Sequence, residues 1–181
     1  MSFRYEIRLS GSGGQGLILA GKILAEAAAV YDNKNATQSQ SYGPEARGGS
    51  SRSEVIVSDE EIDFPKAVNI DLLLAFTQEA CDKYYKDLKD AGILLVDSGY
   101  VTNIPKGKFK VHSLPINEIA EKEVGKSLVA NIVALGIITE LTKVISQQAV
   151  ESAILSRVPK GTEDLNLRAF RTGVGAAQKL K

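Results

Sequence analysis

The order of apolar and polar residues along the chain predicts an alternation of strands and helices. Residues 3–9 alternate apolar with charged side chains, which is typical of a strand, and small and apolar residues at helical spacing follow from residue 17 onward. Two continuous apolar runs, at 72–76 (LLLAF) and 93–97 (ILLVD), indicate parallel strands that are covered on both faces. The pattern therefore predicts a sheet whose central strands are buried between layers.

The segment between these two runs, residues 78–89, has apolar side chains four residues apart among charged ones, which predicts an amphipathic crossover helix. Further strands are predicted at 36–39, 54–58 and 108–113, and further helices at 116–124, 128–144, 147–158 and 162–179. The expected fold is a three-layer α/β/α, Rossmann-like arrangement with a mainly parallel sheet, formed as a single domain over residues 1–181.

The turn after the first strand is rich in glycine, and Gly11, Gly13 and Gly16 match the pattern G-x-G-x-x-G. Such a turn directs backbone N–H groups and the positive end of a helix dipole toward an anion. A NAD-binding fold also needs an acidic residue at the end of the second strand, but residues 36–39 read ATQS, and Asp32 precedes them in a position typical of a turn residue. The pattern argues against NAD, and the alternative for the turn is close helix–sheet packing without a ligand.

A polar loop at 41–52 (SYGPEARGGSSR) is the second candidate for a binding function. It is long, has almost no apolar side chain to bury, and lacks periodicity, which is more common in binding loops than in simple connections. Arg47 and Arg52 are suited to a bidentate contact with phosphate or carboxylate. The alternative is an internal ion pair of Arg47 with Glu45 or Glu54.

The amino-acid composition argues against several classes of function. Lys plus Arg equals Asp plus Glu, 22 against 22, and neither sign forms a long run, so we expect no nucleic-acid or membrane-surface binding. Residues 1–9 do not resemble a signal peptide, and the longest strongly apolar stretch, 128–138, is too short to span a bilayer. We expect a cytoplasmic protein.

Three single residues have side chains of catalytic or ligand-binding types, and each is expected to be structural. Cys81 is the only cysteine, which excludes a disulfide framework or a four-thiolate cluster within this chain, and a buried position is expected for it. His112, the only histidine, has no partner ligand nearby in the sequence. Asn131 interrupts an apolar helix, where its amide is expected to bond to a neighbouring loop end, with ligand contact as the alternative.

Five sequence blocks together resemble the gamma subunit of the 2-oxoacid:ferredoxin oxidoreductases. They are GSGGQGLILAGKILAEAA at 11–28, QSQSYGPEARGGSSRSEV at 38–55, ILLVDS at 93–98, VANIVALG at 129–136 and NLRAFRTG at 166–173. Within that family, residues 36–54 are most similar to the subunit of the 2-oxoglutarate enzymes. Gamma subunits of the pyruvate and branched-chain oxoacid enzymes remain the alternatives.

The resemblance implies the oxidative decarboxylation of a 2-oxoacid with coenzyme A, which gives an acyl-CoA, carbon dioxide and electrons for ferredoxin. It also implies that this chain is a non-catalytic member of a heterotetramer. Thiamine diphosphate, magnesium and iron–sulfur clusters would be bound by the alpha, beta and ferredoxin-like delta subunits, because this chain has no GDG motif and a single cysteine. Ferredoxin would be a partner only indirectly. A stand-alone nucleotide-binding protein or a scaffold is the alternative of another class.

No cofactor is expected to be bound by this chain alone, but the resemblance implies a contact with coenzyme A. The glycine turn and the loop are expected to lie on one side of the sheet, to offer free backbone N–H groups, and to face coenzyme A and partner subunits. The candidate contact residues are Gly11, Ser12, Gly13, Gly14, Gln15, Gly16, Lys22, Tyr42, Arg47, Gly48, Gly49 and Arg52.

Overall fold

A six-stranded sheet in the order β2-β3-β1-β4-β5-β6 forms the centre of the computed structural model, which describes residues 2–42 and 49–180. The strands are β1 (Arg4–Ser12), β2 (Asn35–Tyr42), β3 (Ser50–Ser58), β4 (Ile70–Ala75), β5 (Leu88–Asp97) and β6 (Lys110–Leu114). Strands β1, β4, β5 and β6 are parallel to their neighbours in this set. The predicted mainly parallel sheet is confirmed.

Strand β3 is the exception, because it runs antiparallel to both β1 and β2. It follows β2 after a short connection, and two strands joined by so few residues can pair only as an antiparallel hairpin. Much of the polar loop that the sequence analysis assigned to 41–52 is therefore strand: its two ends belong to β2 and β3, and residues 43–49 connect them.

The helices are α1 (Leu17–Glu26), α2 (Gln78–Tyr84), α3 (Ile116–Ile119), α4 (Ala130–Thr142), α5 (Gln147–Arg157) and α6 (Glu163–Gln178). A π-helical turn extends α1 over Ala27–Tyr31, and a second extends α3 over Ala120–Val124. The helix predicted over 78–89 is shorter than expected. It ends at Tyr84 and is followed by one 3-10 turn, because β5 already begins at Leu88.

The two faces of the sheet are covered unequally. Helices α1, α3, α4, α5 and α6 enclose the larger core, which includes Ile7, Leu9 and Phe76. The smaller core on the opposite face lies beneath α2 and contains Leu73 and Leu94. The three-layer α/β/α arrangement is confirmed. No helix among residues 2–42 and 49–180 combines the length and apolar character needed to cross a membrane.

Two glycines allow α4 and α6 to pack with their backbones in contact. A Cβ atom built on Gly136 would lie 2.8 Å from the backbone N of Val174, and one built on Gly173 would lie 2.9 Å from the carbonyl carbon of Val133. The atoms approached are backbone atoms, which cannot rotate away as a side chain can. Close packing of this helix pair therefore explains why both segments end in glycine, in VANIVALG and NLRAFRTG.

Asp32 joins the end of the first helical segment to the start of α5. Its Oδ2 accepts hydrogen bonds from Lys34 Nζ (2.9 Å) and from the backbone N–H of Ser146 (3.0 Å), and Lys34 also donates to the Val144 carbonyl (2.9 Å). Burial raises the pKa of Asp32, but the hydrogen bonds from Lys34 and Ser146 outweigh burial and hold the pKa below its ordinary value.

We expect Asp32→Asn to lower the free energy of unfolding by about 1 kcal/mol at neutral pH, because a charge-assisted hydrogen bond at a partly exposed site is lost. A carboxyl whose pKa is lowered by folding stabilises the protein above its unfolded-state pKa and loses that contribution as the pH falls through its folded-state pKa. Urea unfolding of the unsubstituted chain and of Asp32→Asn at pH 7 and at pH 3 measures the difference in their free energies of unfolding. A difference that stays the same at both pH values would show that the ion pair is not its cause.

Candidate functional site

A cleft lies at the carboxyl ends of β1 and β4, the strands between which the chain changes direction across the sheet. From β1 the chain proceeds to β2 and β3 on one side, and it then returns to β4 on the other. Ligands in open α/β sheets bind at such a point. The cleft has a volume of about 230 Å³ and is lined by Gly14 and Gln15 of the glycine turn, by Phe76 after β4, by Leu128 just before α4 and by Ala130 at its start.

The glycine turn is held against α4 by a side-chain amide. Gly11 and Ser12 still belong to β1, so that the turn itself covers residues 13–16. Gly14 and Gly16 have φ of 86° and 72°, a region that glycine adopts without strain. Asn131 Nδ2 donates to the Gly16 carbonyl (3.0 Å), which confirms the expected hydrogen bond between Asn131 and a loop end. A Cβ on Gly16 would lie 3.0 Å from Asn131 Cγ, so that glycine is also required for this approach.

Two backbone N–H groups at the glycine turn already donate hydrogen bonds within the chain. The Gln15 side chain folds back over Gly11, and its Oε1 accepts from the backbone N–H of Ser12 (2.7 Å). The N–H of Gly13 donates to the Gly49 carbonyl (2.7 Å). The prediction that this turn offers free N–H groups is therefore wrong for Ser12 and Gly13. Helix α1 begins immediately afterwards with Gly16 as its N-cap and no side-chain cap, so its first-turn N–H groups are not capped by a side chain.

The described ends of the polar loop lie beside the glycine turn, at the carboxyl end of β1. Ser50 at the start of β3 is opposite Ser12 at the end of β1, and Tyr42 at the end of β2 is opposite Ser51. The Gly13 to Gly49 hydrogen bond links the two segments directly. Arg47 and Gly48 lie outside the described residues. Lys22 is exposed in the middle of α1.

Arg52 faces the opposite side of the sheet from the cleft. It is paired with Ser10 in the register of β1 and β3, and both side chains point toward α2 rather than toward α4. Arg52 Nε donates to Ser41 Oγ (2.9 Å), and its guanidinium lies over the Tyr84 ring at 5.5 Å from the centroid. The prediction that the polar loop and the glycine turn lie on one side of the sheet is therefore wrong for Arg52, because its side chain packs against α2 on the opposite face.

Arg8 is a buried charge that the sequence analysis did not single out. Its guanidinium donates to Glu54 (2.8 Å from Nε) and to Asp87, and it lies 5.0 Å from the centroid of Tyr84. The alternation along residues 3–9 was used only to predict a strand, and no role was given to its charged positions. The available signal was the position of the strand, because a charged side chain on the central strand of a sheet covered on both faces must be buried and paired.

A second buried charge, the carboxylate of Asp97 at the end of β5, was also missed. One oxygen accepts from the Gly99 N–H (2.8 Å), and the other accepts from the backbone N–H (2.8 Å) and the side-chain amide (2.7 Å) of Asn117. The carboxylate therefore clamps the carboxyl end of β5 to the start of α3. The available signal was its position in the ILLVDS block, where Asp97 is the polar residue that directly follows a continuous apolar run.

Neither Cys81 nor His112 lines the cleft. Cys81 is on the buried face of α2, as expected, and burial, assisted by the charge of Asp82, raises the pKa of its thiol to about 11. His112 lies on β6, where burial and the charge of Lys110 lower its pKa. Within the part of the chain that the structure describes, no three His, Cys, Asp or Glu side chains are grouped as a metal site.

The Cys81 thiol is expected to be nearly inert in the folded protein. With the pKa of about 11, only about 0.1 % of the thiol is ionised at pH 8, and the thiolate is the reactive form. Ellman's reagent should therefore react slowly with the native chain and rapidly after denaturation, reporting one thiol. Rapid labelling of the native chain, at the rate of the denatured one, would contradict the buried position of Cys81.

Comparison with known proteins gives a consistent set of relatives. The family model described as pyruvate ferredoxin/flavodoxin oxidoreductase matches residues 6–176. The chain is 52% identical to 2-oxoglutarate synthase subunit KorC of Methanocaldococcus jannaschii, over 99% of this chain and 97% of that protein. The solved keto/oxoacid ferredoxin oxidoreductase gamma subunit from Geobacter sulfurreducens is 56% identical with a TM-score of 0.88, over 97% of this chain and 99% of that one.

More distant relatives carry the names of other oxoacids. Ketoisovalerate oxidoreductase subunit VorA of Methanothermobacter thermautotrophicus is 31% identical over 96% of this chain and 36% of its own length. Pyruvate synthase subunit PorC of the same organism is 28% identical over 97% of both chains. The fold also recurs, with 24% identity and a TM-score of 0.86, over 98% of this chain and 32% of the longer 2-oxoglutarate:ferredoxin oxidoreductase chain of Magnetococcus marinus, solved with 2-oxoglutarate, coenzyme A and succinyl-CoA bound.

Proposed function

The chain belongs to the pyruvate ferredoxin/flavodoxin oxidoreductase family, and we propose that it is the gamma-type subunit of an enzyme that oxidatively decarboxylates 2-oxoglutarate with coenzyme A and reduces ferredoxin. The observation that carries the proposal is the 52% identity to 2-oxoglutarate synthase subunit KorC across almost the whole of both chains. The ketoisovalerate and pyruvate relatives, at 31% and 28% identity, support those oxoacids less well.

In this proposal the chain is a single domain that contributes surface rather than chemistry. The sequence has no GDG motif for thiamine diphosphate and one cysteine, so the decarboxylation and the electron transfer belong to partner subunits. These partners are of alpha, beta and ferredoxin-like delta type, in a cytoplasmic heterotetramer that passes its electrons on to ferredoxin. The single Cys81 supports this division, because its buried thiol with a raised pKa is unsuited to ligate a cluster.

Coenzyme A is proposed to approach this chain at the cleft beside the glycine turn. The donor set there suits a phosphate, because the first turn of α1 has no side-chain cap and the positive end of its dipole points into the turn. Gly14 leaves room for such a group, since a Cβ built on it would touch nothing within 4 Å. The Ser12 N–H is occupied by Gln15, so its use by a phosphate oxygen would require this side chain to swing away.

A stand-alone dinucleotide-binding protein is the competing function. Strand β2, read as NATQSQSY, carries no carboxylate that could hold an adenosine ribose at its carboxyl end. The structure thus offers this alternative no specific support.

The proposal is tested by purifying the native complex that contains this chain and assaying it with three oxoacids. We expect coenzyme A-dependent reduction of ferredoxin to be fastest with 2-oxoglutarate and much slower with pyruvate and 2-oxoisovalerate. A complex that prefers pyruvate or 2-oxoisovalerate would overturn the assignment of the oxoacid. Isolation of this chain without any partner subunit, together with tight binding of a dinucleotide, would overturn the assignment to a complex.

A further inference from the structure

A second recess lies on the α2 face of the sheet, on the other side from the cleft at the glycine turn. It has a volume of about 150 Å³ and is formed where the end of β2 and the start of β3 meet α2. The side chains that line it are Ser41, Tyr42, Ser50, Arg52, Lys83 and Tyr84. Neither the proposed oxoacid reaction nor the proposed coenzyme A contact uses this recess.

Three cations surround the Tyr84 ring at the base of the recess. Arg8, Arg52 and Lys83 place their charged groups 5.0, 5.5 and 5.4 Å from the ring centroid. An aromatic face attracts each cation, but it does not cancel the charge. The ring therefore holds positive charges together that would otherwise repel one another.

The three cations differ in how far they are neutralised. Arg8 is buried and bonded to both Glu54 and Asp87. Arg52 is further from Glu54, at 3.7 Å, and uses only its Nε in a hydrogen bond, with Ser41 Oγ. Across residues 2–42 and 49–180, the terminal nitrogens of Arg52 have no hydrogen-bond acceptor and Lys83 Nζ has no carboxylate within 4.0 Å. With respect to the described residues, the mouth of the recess thus carries two positive groups with unused donors.

The remaining lining groups are also suited to an anion. Ser41, Ser50 and Tyr42 contribute hydroxyl groups, which donate to an oxyanion as readily as they accept. A guanidinium fork beside an ammonium group is the usual combination for phosphate, with the fork giving geometry and the ammonium a point charge. The volume of about 150 Å³ admits one such group but is too small to enclose a nucleotide base and its sugar as well.

We infer that this recess, formed by Arg52 and Lys83 over Tyr84 with the serine hydroxyls of the β2–β3 ends, is a binding site for a single phosphate group. The group can come from free inorganic phosphate or from a phosphate monoester whose remaining part stays in solvent. Arg52, which the sequence analysis assigned to the same site as the glycine turn, belongs to this recess instead. The two sites are independent because they open on opposite faces of the sheet.

The experiment titrates the full chain with inorganic phosphate, and separately with glycerol 3-phosphate, by isothermal titration calorimetry at constant ionic strength. We expect saturable one-to-one binding that Lys83→Gln and Arg52→Gln each weaken by about tenfold or more, since each loses a charge-assisted contact. The matched control is Lys86→Gln. Lys86 is a neighbouring lysine whose Nζ lies over the Tyr85 ring, 6.0 Å from the centroid, but it does not line the recess.

The outcomes separate the possibilities. Binding of inorganic phosphate alone identifies the free anion as the ligand, and binding of both compounds identifies the phosphate group of an ester as acceptable; either outcome supports the site. Absence of saturable binding of both compounds at millimolar concentrations overturns it. An equal loss of phosphate affinity in Lys86→Gln also overturns the site, because it would indicate general charge attraction. Because Lys83 is exposed on the surface of α2, Lys83→Gln is expected to keep its fold even if Arg52→Gln does not.

Discussion

Replacing Gly173 with alanine is expected to cost more than about 3 kcal/mol of the free energy of unfolding. Overpacking a filled core typically costs about 1–3 kcal/mol, and here the new methyl group meets backbone atoms that cannot rotate away. The Cβ atom would lie 2.9 Å from the carbonyl carbon of Val133 and 3.1 Å from Gly136 Cα, so α4 and α6 must separate. Urea unfolding followed by circular dichroism measures the loss.

Gly175 provides the matched control on the same helix. A Cβ built on Gly175 touches nothing within 4 Å. Gly175→Ala is therefore expected to stabilise the chain by about 0.5–1 kcal/mol, because alanine loses less backbone entropy on folding than glycine does. Equal destabilisation by both substitutions would contradict this account, because only the Cβ on residue 173 meets the backbone of α4.

Replacing Arg8 with methionine is expected to cost about 3–5 kcal/mol, because it removes one partner of a buried ion pair and leaves the other uncompensated. Glu54, whose side chain is 12% exposed, would keep only the more distant contact with Arg52 at 3.7 Å. Asp87 is 48% exposed and can regain water, so the loss comes mainly from Glu54. Thermal and urea unfolding of the variant measure it.

A double variant distinguishes the loss of a partner from the loss of packing. Arg8→Met combined with Glu54→Leu removes both charges, and we expect it to recover much of the lost stability, since an apolar pair of similar volume often replaces a buried ion pair without cost. The exposed pair of Arg171 with Glu151 is the control, and Arg171→Met is expected to leave stability unchanged. A double variant no more stable than Arg8→Met would contradict the role assigned to this pair.

Much of the fold could be predicted from the sequence because local patterns encode it. The continuous apolar runs in β4 and β5 identified central parallel strands, and the helices of the last third were found with boundaries within a few residues. The strand at 54–58 was predicted, but its antiparallel pairing was not, because alternation and composition identify a strand but not its partner. The short connection after β2 was the available signal, and it was interpreted as part of a binding loop instead of a hairpin.

The candidate site was predicted in outline only. The glycine turn and the ends of the polar loop are neighbours, and Asn131 bonds to a loop end as predicted, but the two segments do not share one side of the sheet. The sequence did not reveal that Gln15 occupies the Ser12 N–H or that Arg52 faces α2. Both depend on side-chain contacts between segments distant in sequence, which a local pattern does not encode. The role of Arg47 stays a prediction, since it lies outside the described residues.

The most direct test of the central claim is an omission experiment on the complex reconstituted from its separately produced subunits. We predict that a mixture lacking this chain fails to couple 2-oxoglutarate and coenzyme A to ferredoxin reduction, and that adding the purified chain restores succinyl-CoA formation and reduction together. The purified chain alone should show neither. Full activity of the other subunits without this chain, or a restored complex that prefers pyruvate over 2-oxoglutarate, would contradict the account.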